Sequence, residues 1–393
     1  MTYRRAGLPA LAGGLLLTAL LWWAGASAHA LHLPGATGML DGQGVAELER
    51  WLIPWSYDPP ASARFGTEVS GGIGGAAGIA GTNYLALYTT ALQIRFAAVF
   101  AFFIPGALLL VRRLPPVHGR MPAALLAVWA WGLVAGTLAV TVSAPWLIAS
   151  GGRGSYRFLP QLASVISSGR QVLVVTALVA AAVTVAIARV TAKGAGPLPR
   201  EAVPARAARL AATIGTAVIA LSLVVLSYQP VAATLQGVSP DIGLFAEPGD
   251  LLRQWLLLGA WAGPGGTPLG DWILYRAGDV LLLAVVWWAL RRLPRLLTRA
   301  TVPAMAAGTV CATVLGLLAS QLLRLPVDGV GSGLHWDLLH LSANIGNGVP
   351  AALTCGLVAG SAAALTLRVA GGRAGTADAT TSVQDSARPE DDL

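Results

Sequence analysis

The chain has 393 residues, of which 55% are hydrophobic and only 11% charged, and its formal charge is +8. A soluble domain averages about 25% charged residues, so this composition excludes an ordinary water-soluble protein. The basic excess does not point to nucleic acid, because 25 of the 26 basic residues are arginine and they sit in short clusters between apolar runs rather than beside exposed aromatics.

The first apolar run, 6–26, follows Arg4 and Arg5. Ala28-His29-Ala30 has the small-x-small form of a leader cleavage site. The run is nevertheless longer than the ~7–15 residues of a signal core and long enough to span, so an uncleaved first span is expected.

Seven further apolar runs occupy 91–111, 122–148, 171–190, 208–228, 273–290, 301–323 and 346–368. Each approaches the ~20 residues that cross a ~30 Å hydrocarbon layer as a helix, and none alternates like a barrel strand. The expected fold is an all-α integral membrane protein with about eight transmembrane helices. Pro105, Pro145 and Pro303 are compatible with helix ends or kinks. Cys311 and Cys355 fall inside the runs and read as packing residues, with no disulfide framework or zinc spacing. From 371 onward the chain turns polar and is expected to form a disordered cytoplasmic tail, 371–393.

Arginine and lysine set the expected orientation, since basic loops stay in the cytoplasm. With the N-terminus inside, 17 of the 26 basic residues and 6 of the 18 acids lie on the inner side. Both termini are then cytoplasmic, in a cell (plasma) membrane. The long connections, 31–90 and 229–272, fall outside.

The two halves resemble each other. After the first span comes ELERWLIPWSYDPP, then a span ending Arg112-Arg113-Leu114-Pro115; after the fifth comes DLLRQWLLLGAWAG, then a span ending Arg291-Arg292-Leu293-Pro294. GRGSYRFLPQLASVISSG before the fourth span matches GVGSGLHWDLLHLSANIG before the eighth. Residues 1–206 and 207–370 therefore read as two tandem four-helix units, and an even span count gives both the same polarity. Aromatic or amphipathic stretches at Tyr84–Gln93, Tyr156–Ser168, Leu269–Arg276 and Leu334–Asn344 are expected to be short interfacial helices on the outer face.

Ionisable groups deep in lipid are costly and mark function. Asp279 stands 12 residues from Arg291, which places it ~18 Å from the inner boundary. Arg276, three residues earlier, shares its helical face and can neutralise it. Arg95 is the approximate counterpart in the first half, near enough to the outer end of its span to snorkel. Trp51, Trp55, Trp255, Trp261, Trp336 and Asp337 are the outer-face interaction candidates. His335 and His340 beside Asp337 match no established ligand pattern, so no metal and no cofactor is expected. Glycines at four-residue spacing, Gly132/Gly136 and Gly356/Gly360, permit close helix contact, as do Gly308 and Gly316.

No nucleophile or phosphate-loop motif is present: GxSxG, HExxH and GxxxxGK[ST] are all missing. Three readings follow. The first is a transporter or channel component moving a small solute past Arg95, Arg276 and Asp279. The second is a non-enzymatic subunit or assembly factor docking a cell-envelope protein partner through its outer loops. The third is a membrane enzyme on lipid-linked substrates, for which Glu47, Glu49, Asp58, Asp241, Glu247, Asp250 and Asp337 are the available outer acids. Membrane lipid surrounds the chain in all three.

Overall fold

The computed structural model describes residues 3–32, 42–59, 77–116, 120–151, 158–192, 204–238, 247–263, 268–328 and 347–386. They form α1 (Tyr3–Ala26), α2 (Gly42–Leu52), α3 (Ala77–Arg113), α4 (Met121–Ser150), α5 (Phe158–Ser167) and α6 (Arg170–Thr191). Then come α7 (Ala205–Ala220, prolonged by a π-helical turn, Leu221–Leu226), α8 (Gln229–Gln236), α9 (Gly249–Leu256), α10 (Leu269–Leu296), α11 (Val302–Asp328) and α12 (Val349–Ser386).

Eight of these, α1, α3, α4, α6, α7 with its π turn, α10, α11 and α12, are long and apolar enough to cross a membrane. The chain is a multi-pass helical membrane protein. Leu15, Val175, Val190, Val280 and Leu365 are exposed around its girth, which hydrocarbon tolerates and water does not. Several threonines within the spans turn their hydroxyls back onto the preceding turn, as Thr184 does to Ala180 O (2.7 Å) and Thr309 to Met305 O (2.7 Å). Those hydroxyls are thereby satisfied within their own helix, whereas that of Thr216 in α7 is buried without a partner.

The helices close into two rings. In the first, α1 packs on α3, α3 on α4, α4 on α6 and α6 back on α1. In the second, α7 packs on α10, α10 on α11, α11 on α12 and α12 back on α7. Glycine makes room for the closest approaches. A Cβ at Gly136 would lie 2.3 Å from Leu173, and one at Gly360 would lie 2.5 Å from the Cα of Ala306. Gly132, Gly308, Gly316 and Gly356 likewise face a neighbouring helix.

The rings meet chiefly where α4 touches α11. Cys311 Sγ lies 3.2 Å from Ala127 O there, so this thiol joins helices instead of pairing with sulfur. As a result 78% of the apolar window of α11 is buried, against 22% for α10, which lies at the periphery. At one end of the spans Thr298 N donates to Arg113 O (3.0 Å) and Arg120 Nη1 to Leu296 O (2.8 Å). At the other, Arg170 Nη1 donates to Asn347 Oδ1 (2.8 Å). These are called the Arg113 end and the Trp55 end.

Two of the stretches expected as separate interfacial helices are not separate. Tyr84–Gln93 belongs to α3, with no glycine or proline between it and the apolar run that follows, and Leu269–Arg276 belongs to α10, which runs unbroken through Gly270 and Gly278. The stretch Tyr156–Ser168 contains α5 as a helix of its own, while Leu334–Asn344 lies outside the described residues. Helical structure also continues past 371, as far as Ser386.

Gly360→Ala and Gly7→Ala make a matched test of the packing, since a Cβ at Gly7 meets nothing within 4 Å. The first is expected to cost about 1–3 kcal/mol by overpacking and to lower the thermal midpoint in detergent. The second should not lower that midpoint and should raise it slightly, since alanine is the better helix former.

Candidate functional site

Polar side chains gather at the Trp55 end of both rings, and each gathering is organised by a chain segment tucked against the helix ends. In the first ring α2 places Val45, Leu48 and Leu52 on one face and is followed by a tight turn, Ile53–Trp55. Trp55 is fully buried, and its Nε1 donates to Gly169 O (2.8 Å). Gly169 has φ +70, and a Cβ there would lie 2.8 Å from both Pro54 and the Trp55 indole nitrogen, so backbone and space both call for glycine. Gly25 at the end of α1 is as closely fitted, with Trp55 O 1.9 Å from where its Cβ would stand.

Arg95 reaches this segment from α3. Its Nε donates to Ser143 Oγ on α4 (2.9 Å), its Nη1 donates to Pro54 O, and its guanidinium lies 5.7 Å from the centre of the Trp55 ring. The residue is completely buried. The expected snorkelling is therefore corrected: the side chain turns inward because a main-chain carbonyl, a hydroxyl and an aromatic face supply there what headgroup water would supply outside. Nη2 has no partner, and no carboxylate pairs with Arg95 among the described residues. Tyr88 secures the far side of the segment by donating to Ser56 O (2.8 Å). Tyr57 stacks on Phe96 at 5.7 Å, and burial pushes its phenol above the ordinary tyrosine range, so it stays neutral.

In the second ring the Arg276–Asp279 pair is formed, Nη1 to Oδ2 at 2.7 Å. A third member joins it from α11: Arg324 Nη2 lies 2.7 Å from Asp279 Oδ1 and 3.3 Å from Tyr275 O. Gly278 leaves the space for this, since a Cβ there would stand 2.9 Å from Arg324 Nε. Arg276 also lies 5.0 Å from the centre of the Trp261 ring. Trp261 is held in turn by three hydrogen bonds to the chain after α7: its N to Ser227 O (3.0 Å), its Nε1 to Val224 O (2.8 Å) and its O from Gln229 N (2.8 Å).

Beside this cluster lies a cavity of about 40 Å³ lined by Leu223, Gly259, Trp261, Asp279, Ser320 and Arg324 among others. That admits a few waters. An organic solute does not fit without movement of the walls.

Trp51 and Trp255 are half-buried on α2 and α9, and Trp255 O accepts the Thr354 hydroxyl from α12. Trp336, Asp337, His335 and His340 lie outside the described residues. Sequence reasoning did not single out Ser143, Arg324 or Gly169. One signal was available for the first two: Ser143 stands two residues before Pro145, and Arg324 two before Pro326, at matching places near the ends of α4 and α11.

Comparison with protein-family models, curated proteins and solved structures gives no match.

Trp55→Phe removes the indole donor and leaves Gly169 O buried without it, which is expected to cost about 1–3 kcal/mol. Trp51→Phe should change stability by less than about 0.5 kcal/mol. Thermal midpoints in detergent, with protease sensitivity around 53–58 as a local readout, check both.

Proposed function

We propose that this protein is a component of a transporter or channel, moving a small polar solute across the cell membrane past the Arg276–Asp279–Arg324 cluster. The observation that carries the reading is the cavity against that cluster, where a carboxylate bridged by two guanidiniums borders space that water can enter. Intramembrane ion clusters beside a wet cavity are typical of solute paths.

The same proposal takes the chain as two tandem four-helix units in parallel orientation, residues 1–206 and 207–370, with both termini cytoplasmic. Three contacts support it. The two rings have the same cyclic order, the third helix of one packs on the third of the other, and the end of the second helix of the first ring, at Arg113, meets the loop after the second helix of the other, at Thr298. Gly169 and Gly348 add a fourth correspondence: both have positive φ just before the fourth helix of their ring, and both approach the tucked segment, at Pro54 and at Leu258 O. Orientation rests on arginine, since Arg112, Arg113, Arg120, Arg291, Arg292, Arg295 and Arg299 gather at the Arg113 end.

A second reading is favoured by exposed apolar side chains at the Trp55 end, including Ile53, Tyr57 and Tyr228. On this reading the outer segments, with α2 and α9 lying at the interface, dock a cell-envelope protein and the bundle is their anchor.

Complementation of a deletion strain separates the two. Asp279→Asn, expressed and folded as the wild type, is expected to lose more than about tenfold of the activity. Full activity of this variant, with activity lost on removing residues 60–74, would instead establish docking. Reporter fusions after 60 and after 263 are expected outside, and fusions after 116 and after 298 inside.

A further inference from the structure

We infer that the cavity at Asp279 is a binding site for a small monovalent inorganic anion of about halide size. This rests on the reading of the Arg276–Asp279–Arg324 cluster as the solute site and names the class of solute it takes.

The first ground is charge. Two guanidiniums face one carboxylate, and each carboxylate oxygen is already engaged, Oδ2 by Arg276 and Oδ1 by Arg324. The cluster therefore carries one excess positive charge among the described residues. A cation entering it would meet two guanidiniums at close range, whereas an anion offsets the surplus.

The second ground is unspent donor capacity. Arg324 Nε and Arg276 Nε are both buried and have no hydrogen-bond partner, and Arg324 forms part of the cavity wall. A charged donor left unpaired in a poorly solvated layer is expensive, and an anion in the cavity satisfies the Arg324 donor. Ser320, on the turn before Arg324, also lines the space and spends its hydroxyl on the carbonyl of Leu317 (2.8 Å), from which it can rotate toward a bound ion.

The third ground is the origin of the cavity. Trp51 and Trp255 hold matching places on α2 and α9, and four residues beyond them stand Trp55 and Gly259. Trp55 fills the Trp55 end of the first ring completely, with Arg95 against it. Gly259 instead lines the cavity of the second ring, so the missing indole is the empty space. The cavity, about 40 Å³, holds one such ion and is too small for sugars, amino acids and nucleotides. Leu223, Leu282 and Leu317 back the site, a mixed wall that suits a weakly hydrated anion better than a multivalent one.

The test uses the full chain purified in detergent, titrated with sodium bromide against sodium gluconate at constant ionic strength and followed by thermal midpoint. Crystals grown in bromide are examined for anomalous scattering at the site. Bromide is expected to raise the midpoint saturably. Arg324→Gln and Gly259→Leu, each monodisperse with a wild-type midpoint in gluconate, should abolish the shift. Asp279→Asn should lower the half-saturating bromide concentration at least about fivefold, the Coulomb gain of one unit charge about 4 Å away even at the dielectric of water. Identical midpoints in the two salts, or weaker bromide binding by Asp279→Asn, would overturn the inference. Loss of complementation in Asp279→Asn without any bromide effect leaves the transport reading standing and removes this one. Saturable bromide binding with full complementation by Asp279→Asn does the reverse.

Discussion

A guanidinium placed among apolar helices must find its counter-group inside the protein, and the Trp55 end of the first ring is built around one such obligation. Arg95 binds the Pro54 carbonyl and the Ser143 hydroxyl and lies against the Trp55 ring. The residues that accommodate this, Gly25, Gly169 and Tyr88, come from three different helices or their ends. One buried charge thereby joins α1, α3, α4, the start of α6 and the chain leading from α2. Removing any partner exposes the cost of the rest, because a desolvated cation offers no cheap retreat to water.

The second ring meets the same obligation with other means. Arg276 and Arg324 are held by a carboxylate, and Trp261 packs on Arg276 from outside the cluster. The carboxylate compensates one of the two charges, where the first ring relies on main-chain and hydroxyl oxygens alone. The two rings thus carry unlike interiors: one end is filled by an indole, the other is open to a few waters.

Much of the architecture was legible because lipid imposes a coarse rule. An apolar run of sufficient length has to be a helix, and the eight runs read from composition correspond to the eight helices able to span. The four-residue glycine spacings were legible for a related reason: only closely packed helices gain from them. The Arg276–Asp279 pair followed from helical periodicity. Arg95 was misread because its partner is a carbonyl 41 residues away, and a carbonyl has no signature in sequence. Arg324 falls one residue beyond the apolar run 301–323, so hydropathy alone does not place it on a span, although α11 continues through it to Asp328. Tyr84–Gln93 and Leu269–Arg276 differ in polar character from the runs they precede, which suggests separate helices, but a change of polarity does not interrupt the backbone, and α10 continues even through Gly270 and Gly278.

Each ring is closed by helices that are consecutive spans along the chain. For a protein inserted during synthesis this sets an order of assembly. The first four spans can complete their own circuit of contacts while the later ones are still being translated, so α11 arrives at a surface on α4 that already exists. A chain cut between residues 193 and 203 would leave each fragment with its own ring of four helices and only the contacts between rings to re-form, and co-expression of the two pieces becomes a natural way to build the molecule from parts.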